Sequence, residues 1–329
     1  MAIQFNFVSS MLIQVLLSIS SAECQGRGGD SVRDVVAKFG VKADEKTFLT
    51  TLDGLSKAPI ELQVKGTVKA PADLGAFKEP KWIAFNRIKN FKLSGGGVFD
   101  GQGTTAYKRE VSAPGESPNT DGIHIGRSDG VNVLNMEIKT GDDCISIWDG
   151  SKHLVINGVT CGPGHGISIG NLRLFKNKEP VDGVTVKNYT MTNTSNGGRI
   201  KSWTGAEPDT CSNIHFEDIT VTNISSPIII DQKYCPWNKC KINEESKVKL
   251  SNISFKNIHD TFALPEAVKI ICSATLPSKN VELADIEITH SGLTGPTVSQ
   301  CSNVKPKVSG KQNPAACSAP IPTKPTPAT

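Results

Sequence analysis

Four stretches, Val131-Asn-Val-Leu-Asn-Met-Glu-Ile138, Leu154-Val-Ile-Asn-Gly-Val-Thr-Cys161, Val184-Thr-Val-Lys-Asn-Tyr-Thr-Met191 and Ile214-His-Phe-Glu-Asp-Ile-Thr-Val221, share one pattern, with apolar side chains at positions 0, +2, +5 and +7. Position +4 is Asn135, Gly158, Asn188 and Asp218. Two further copies begin at Ile253 and Val281, with Asn257 and Asp285 at +4, and a degenerate one begins at Phe91, with Gly95. Alternation on either side of +4 is the period of a strand with one buried face. The change of phase between +2 and +5 needs a one-residue bend in the left-handed region, which Gly, Asn and Asp tolerate best. A second apolar strand follows each copy, marked by Ile145, Ile167, Ile200, Ile228 and Val268, with Ile123 as the preceding member. Three short strands per repeat, none able to bury its apolar residues alone, predict an all-β solenoid, a parallel β-helix in which each coil covers its neighbour, the alternative being a β-sandwich whose spacing is coincidental.

Composition agrees. The 329 residues are 37% hydrophobic and 21% charged but only 6% aromatic, with 30 Gly and 19 Pro. That excludes a disordered or collagen-like chain and suits many short strands joined by tight turns. A formal charge of +4 is too small a bias to point to nucleic acid, and is compatible with an anionic ligand. Residues 1–22 carry no charged side chain and centre on an apolar run, which reads as a secretory signal peptide. Nine cysteines and four Asn-x-Ser/Thr sequons, at Asn188, Asn193, Asn223 and Asn252, fit an oxidising, extracellular route. No later stretch reaches the length of apolar sequence that a membrane span needs. Residues 318–329 are Pro-rich and read as an extended tail beyond a single β-helix domain over 23–317.

The residue two places before each second-strand marker is Asp121, then Asp143, then His165, on three successive coils. Stacked strands lie about 4.8 Å apart, so equivalent positions form a ladder on one surface. With Asp142 beside Asp143, the ladder is a dense acidic cluster. Carboxylates this close cannot all ionise at their ordinary values, and one raised acid beside an ionised carboxylate is the apparatus of glycoside hydrolysis. Solvated turn acids or a calcium site would use the same residues. Arg199 and Lys201 flank the inward Ile200 and project from one face of the next coil, where they suit either a carboxylate-bearing substrate or simple pairing with the Asp ladder.

Asn119-Thr-Asp121-Gly, Gly141-Asp142-Asp143-Cys144-Ile-Ser146, Gly162-Pro-Gly-His165-Gly and Arg199-Ile-Lys201 occur in that order. Together they resemble the four signature motifs of the polygalacturonases, glycoside hydrolase family 28. The resemblance runs from about residue 64 to Cys317, and Ser299-Gln-Cys-Ser-Asn-Val-Lys-Pro-Lys-Val-Ser-Gly-Lys-Gln-Asn-Pro314 is similar to the plant pollen exopolygalacturonases in particular. It implies a right-handed parallel β-helix and an inverting hydrolysis of α-1,4-galacturonosyl linkages in pectin, without metal or other cofactor, by a monomer secreted to the plant cell wall. By motif, Asp142 corresponds to the general acid, and Asp121 and Asp143 to the pair that holds and activates water. His165 would set the acid's protonation, Asn119 would lie along the subsite floor, and Arg199 and Lys201 would bind the galacturonate carboxylate. Tyr234, in Asp231-Gln-Lys-Tyr-Cys-Pro236, matches a substrate-binding tyrosine, and a packing role suits it equally. The resemblance also implies disulfides Cys144–Cys161, Cys235–Cys240 and Cys301–Cys317. It leaves Cys24, Cys211 and Cys272 unassigned, because Ser278 stands where the family usually supplies a partner for Cys272.

Two departures accompany the resemblance. Only residues 104–118 separate Gly103 from Asn119, and no copy of the repeat lies between Phe91 and the strand at Ile123, so at least one coil is expected to be missing on the Asp121 side. The N-terminal cap is short as well, its helix reduced to residues 45–55. A pectin-binding protein without activity, or a calcium-dependent pectate lyase, are the competing readings.

Overall fold

The computed structural model describes residues 2–7, 13–18, 32–34, 51–54, 59–69, 83–100, 121–172, 179–236, 240–293, 295, 297–317 and 319–320. These residues contain strands and no helix, and so no helix long and apolar enough to cross a membrane. The strands build two walls, one of 16 strands and one of 10, that face each other along a solenoid and are parallel except where Ile13–Ser18 pairs with Ala2–Phe7 and Val32–Asp34. In the larger wall Lys89–Ser94, Asp129–Leu134, Lys152–Asn157, Val181–Thr192, Asp209–Ile224, Val248–Phe262 and Lys279–His290 stack in sequence order. Early coils keep the strands on either side of the +4 bend apart, as in Asp129–Leu134 and Glu137–Lys139, whereas later coils fuse them into one long bent strand such as Val181–Thr192.

The repeat accounts for the packing. All sixteen apolar residues of the four copies are buried, and equivalent positions pair in register, as Leu154 with Val184, Val184 with Ile214 and Ile214 with Ile253. The bend residues Gly95, Asn135, Gly158, Asn188, Asp218, Asn257 and Asp285 all have positive φ. At one pair of neighbouring polar bends the side chains add a ladder bond, Asn257 Nδ2 donating to Asp218 Oδ1 at 2.8 Å. Asn188 adopts a φ of 48° and donates to Asn157 Oδ1 at 2.7 Å. We expect Asn188→Val, β-branched in a left-handed position and without the ladder bond, to lose about 1–3 kcal/mol in urea unfolding. Asn188→Gly should lose far less.

The second wall corrects one expectation. Its inward column runs Ile123, Ile145, Ile167, Gly198, Ile228 and Val268, and Ile200 pairs instead with Ile169 and Ile230, one inward position further along. A Cβ at Gly198 would lie 2.8 Å from the ring of Phe216, which reaches across from the facing wall and fills the place that Ile200 was expected to take. Because a shift of two residues preserves the face, Arg199 and Lys201 still project outward.

Where a coil is expected to be missing, the stack shows no break. Ile83–Asn86 pairs directly with Ile123–Gly126, Lys89–Ser94 with Asp129–Leu134 and Val98–Asp100 with Glu137–Lys139. Residues 101–120, Asn119 among them, lie outside the described residues, as does Cys24. The cap helix expected over residues 45–55 does not extend through Thr51–Asp53, which is a strand paired with Ile83–Asn86. Within the region read as a signal peptide, Ala2–Phe7 and Ile13–Ser18 pair as a hairpin, and Ala2–Phe7 also stacks on Ile60–Val64. Of the tail, Ala319–Pro320 pairs with the strand Val298–Ser302, and the other residues of 318–329 lie outside the described residues.

Candidate active site

The acidic ladder occupies the turns where coils enter the second wall. Asp143 opens the strand Asp143–Ile147, and Asp121 lies two residues before Ile123–Gly126. His165 is held by the glycine-rich turn around it, its backbone N–H donating to the Asp142 carbonyl at 2.7 Å. Gly164 makes that approach possible: its φ is 144° and a Cβ there would lie 2.6 Å from the same carbonyl oxygen. The Cys144–Cys161 disulfide ties the Asp143 coil to the next one beneath these turns. Cys235–Cys240 closes the loop after Tyr234, and Cys301–Cys317 fastens the C-terminal end. Cys211 and Cys272 are buried free thiols. Burial raises Cys272 to about 11, and Ser278 lies against it.

Two donors converge on one oxygen of Asp142. His165 Nδ1 and the backbone N–H of Asp143 both lie 2.7 Å from Asp142 Oδ1. Among the described residues no hydrogen bond is made to Oδ2. Burial pushes Asp142 up, but the hydrogen bond and charge of His165, the Asp143 N–H and the Lys201 charge outweigh it, so its carboxyl sits below the usual aspartate range. The same contact, opposed by burial, lifts His165 above the usual histidine value. The contact thus favours a charged imidazole beside an ionised carboxylate.

Asp121 is the carboxyl pushed the other way. Burial first, then the charges of Asp143 and Asp142, drive it well above the usual range, against a hydrogen bond from Ser146 and the charge of Lys201. Asp143 is held at both oxygens, by the Ser168 hydroxyl on Oδ1 at 2.7 Å and the Lys201 ammonium near Oδ2 at 3.3 Å. Asp142, Asp143 and His165 could bring three ligand atoms within 4.8 Å of one another around a cation. His165 Nδ1 is already committed to Asp142, and Lys201 sits on Asp143, so the charge a cation would supply comes from the protein itself.

Beyond the ladder, Arg199 and Lys201 lie against one ring. The Arg199 guanidinium is 5.0 Å and the Lys201 ammonium 5.5 Å from the centroid of Tyr234, which meets Trp203 edge-on at 5.9 Å. Arg199 Nε is buried without a partner among the described residues. The arrangement offers an anion two cations beside the acids. Of the residues proposed from sequence, the structure brings together Asp121, Asp142, Asp143, His165, Arg199, Lys201 and Tyr234, with Asn119 outside the described residues. Sequence reading missed Asn196, the next rung of the ladder, whose Nδ2 donates to the His165 carbonyl at 3.2 Å. It also missed Ser168, whose outward place in its strand looks like that of any solvated serine.

The sequence profile of Glycosyl hydrolases family 28 matches residues 32–112 and 104–317. The chain belongs to glycosyl hydrolase family 28. The two matched blocks of this family 28 hydrolase meet at 104–112, where the coil was expected to be missing. A polygalacturonase of Gossypium hirsutum is 48% identical over 409 aligned positions, covering 99% of both chains, and an exopolygalacturonase of Oenothera organensis is 46% identical over 323, covering 82% of this chain and 89% of its own. Since this chain has 329 residues, the Gossypium alignment contains segments of the longer relative with no counterpart here. Among solved structures, the endo-xylogalacturonan hydrolase of Aspergillus tubingensis aligns with a TM-score of 0.60 at 21% identity, over 79% of this chain and 68% of that one, and shares the β-helix.

Proposed function

We propose that this hydrolase cleaves α-1,4-galacturonosyl linkages of de-esterified pectin with inversion, releasing terminal galacturonate, as a monomer secreted to the plant cell wall after loss of residues 1–22. The observation that carries this reading is the meeting of the Asp121, Asp142 and Asp143 cluster with two cations, Arg199 and Lys201, on one face. Acids alone would suit many glycosides, whereas cations beside them select a sugar that carries a carboxylate. The plant relatives named polygalacturonase and exopolygalacturonase support the substrate and the exo mode.

In this reading Asp142 protonates the leaving glycosidic oxygen. The proton is drawn from the His165–Asp142 pair: an anionic sugar that also excludes water disfavours the charge on Asp142, the proton passes from His165 Nδ1 to Oδ1, the oxygen it faces, and a half-turn of the carboxyl about Cβ–Cγ exchanges the two oxygens and presents that proton to the glycosidic oxygen. Asp121 and Asp143 hold the attacking water and accept its proton. Arg199, stacked on Tyr234, grips the galacturonate carboxylate, and Lys201 adds a point charge between that carboxylate and Asp143.

The pH dependence follows with its signs. Turnover rises as Asp121 ionises, above the ordinary aspartate value of 3.8, and falls as the pair loses its proton, above the ordinary histidine value of 6.5. His165→Asn removes the proton store, so the alkaline limb of kcat/KM moves to lower pH, and an unmoved limb would refute the role given to His165.

The direct test is a reducing-end assay of the purified chain on de-esterified polygalacturonan, with EDTA present and products separated by size. Monomer from the first time points is expected. Mixed oligomers would make the action endo, activity abolished by EDTA would favour a calcium-dependent lyase, and no product with galacturonan still bound would leave a binding protein.

A further inference from the structure

The neighbouring strands Asn196–Trp203 and Ser226–Tyr234 end on two aromatic residues that an irregular step brings together. Lys201 pairs with Asp231, and the next pair along is Trp203 with Tyr234, so the chain advances two residues on one strand and three on the other. In an unbroken ladder Lys233 would stand opposite Trp203, and the alternation of faces would turn Tyr234 inward. The extra residue makes a β-bulge, which re-aims the side chains that follow it. It sets the Tyr234 ring 5.9 Å from that of Trp203, 5.0 Å from the Arg199 guanidinium and 5.5 Å from the Lys201 ammonium.

The bulge is locked from within. Gln232 is 1% exposed, and its side-chain amide is bonded at both ends. Nε2 donates to the Val248 carbonyl at 2.8 Å, and Oε1 accepts from the Ser273 N–H at 3.0 Å. Val248 opens the next long strand of the first wall, Val248–Phe262, and Ser273 lies just beyond the next strand of the second, Glu266–Ile271. A buried amide between one main-chain acceptor and one main-chain donor has a single orientation that satisfies both. The residue after it is pinned as well, since the Lys233 N–H donates to Asp231 Oδ1 at 2.9 Å. The path from Asp231 to Tyr234 is therefore fixed by hydrogen bonds before the ring makes its own contacts.

We infer that Gln232 is a positioning residue for Tyr234: by locking the bulge it sets the ring against which Arg199 and Lys201 lie, and so governs affinity for the acidic sugar. The inference rests on the substrate-binding place proposed above for Arg199, Lys201 and Tyr234. The position of the ring can nevertheless be read without turnover.

Tyr234 is one of three tyrosines in the chain, so 3-fluorotyrosine labelling of the full-length protein isolates its fluorine-19 signal, assigned by its loss in Tyr234→Phe. Gln232→Met keeps the length of the side chain and loses both hydrogen bonds. Gln232→Asn keeps the amide but is one methylene too short to reach both partners, and it decides the matter if the Met variant does not fold. Both are expected to shift the Tyr234 signal and to raise KM on polygalacturonan about tenfold, with kcat changed less than about threefold, the pattern of lost binding rather than lost chemistry. Asn188→Val, a destabilising change on the first wall, is the comparison. A role of Gln232 confined to stability would lower the urea midpoint as that variant does and leave both the Tyr234 signal and KM in place. An unmoved signal in the Gln232 variants, or a moved signal with KM unchanged, overturns the inference. An unmutated chain without turnover, with the Tyr234 signal still shifted in the variants, would instead overturn the proposed function and leave the positioning of Tyr234 standing.

Discussion

Asp142→Asn is expected to lower kcat on polygalacturonan by about 10²–10⁴-fold, the usual contribution of a positioned general acid, while binding of oligogalacturonate is retained. An asparagine with its oxygen at the Oδ1 position still accepts from the Asp143 N–H, which lies 2.7 Å away in the native site, so the turn keeps its shape. What disappears is the carboxyl oxygen that can carry a proton, along with the counterion of His165. The binding residues Arg199 and Tyr234 are untouched, so the dissociation constant for a trimer should change little. Titration of His165 gives an independent check. Its hydrogen bond to Asp142 is the main cause of its raised value, so the midpoint should fall in the variant. Turnover equal to the unmutated chain would remove Asp142 from the acid role, whatever happened to His165.

The sequence made the solenoid legible because two kinds of position leave traces in composition. Inward residues are apolar, and the +4 bend admits only Gly, Asn or Asp at low cost. A second bend lies just before each copy, at Asn90, Gly130, His153, Gly183, Asn213, Asn252 and Asn280, all with positive φ. It escaped notice because His153 breaks the pattern of residue types and because the position adjoins the apolar residue that anchors the count. The rung assigned to Ile200 was one step out for a reason outside its own coil, since Phe216 on the facing wall decides that Gly198 takes the inner place. Periodicity cannot see across the solenoid.

The site shows the same division. Asp121, Asp143 and His165 were found because they are ionisable and recur at one offset. Their roles then depend on contacts that the offset does not contain. Of the two carboxyls in question the structure lowers Asp142 and raises Asp121, because His165 reaches the first and two aspartates crowd the second. The lack of a repeat copy between Phe91 and Ile123 was legible in the sequence, and Lys89–Ser94 pairs directly with Asp129–Leu134, as strands of a solenoid can when every coil presents the same edge to its neighbour.

Lys201→Met should be the most destabilising single change in the cleft. Lys201 and Asp143 form a buried pair, with side chains 9% and 5% exposed and a separation of 3.3 Å. Removing one partner of a buried pair leaves the other charge without compensation, at a cost of about 3–5 kcal/mol, a large part of the roughly 5–15 kcal/mol that separates a folded domain from its unfolded chain. The Lys201 charge also favours ionisation of Asp121 and Asp142, so the acid limb of the pH profile should move upward along with the loss of substrate affinity. Stability and chemistry can be separated by adding Asp143→Asn. The double variant no longer buries a lone carboxylate and should recover most of the urea midpoint, yet it should remain inactive, because neither the cation for galacturonate nor the acceptor for the water's proton is restored. A single variant with an unchanged midpoint would mean that water reaches Asp143 and that the pair carries little of the stability of the cleft. Recovery of turnover in the double variant would take Asp143 out of the water-activating role and leave Asp121 to act alone.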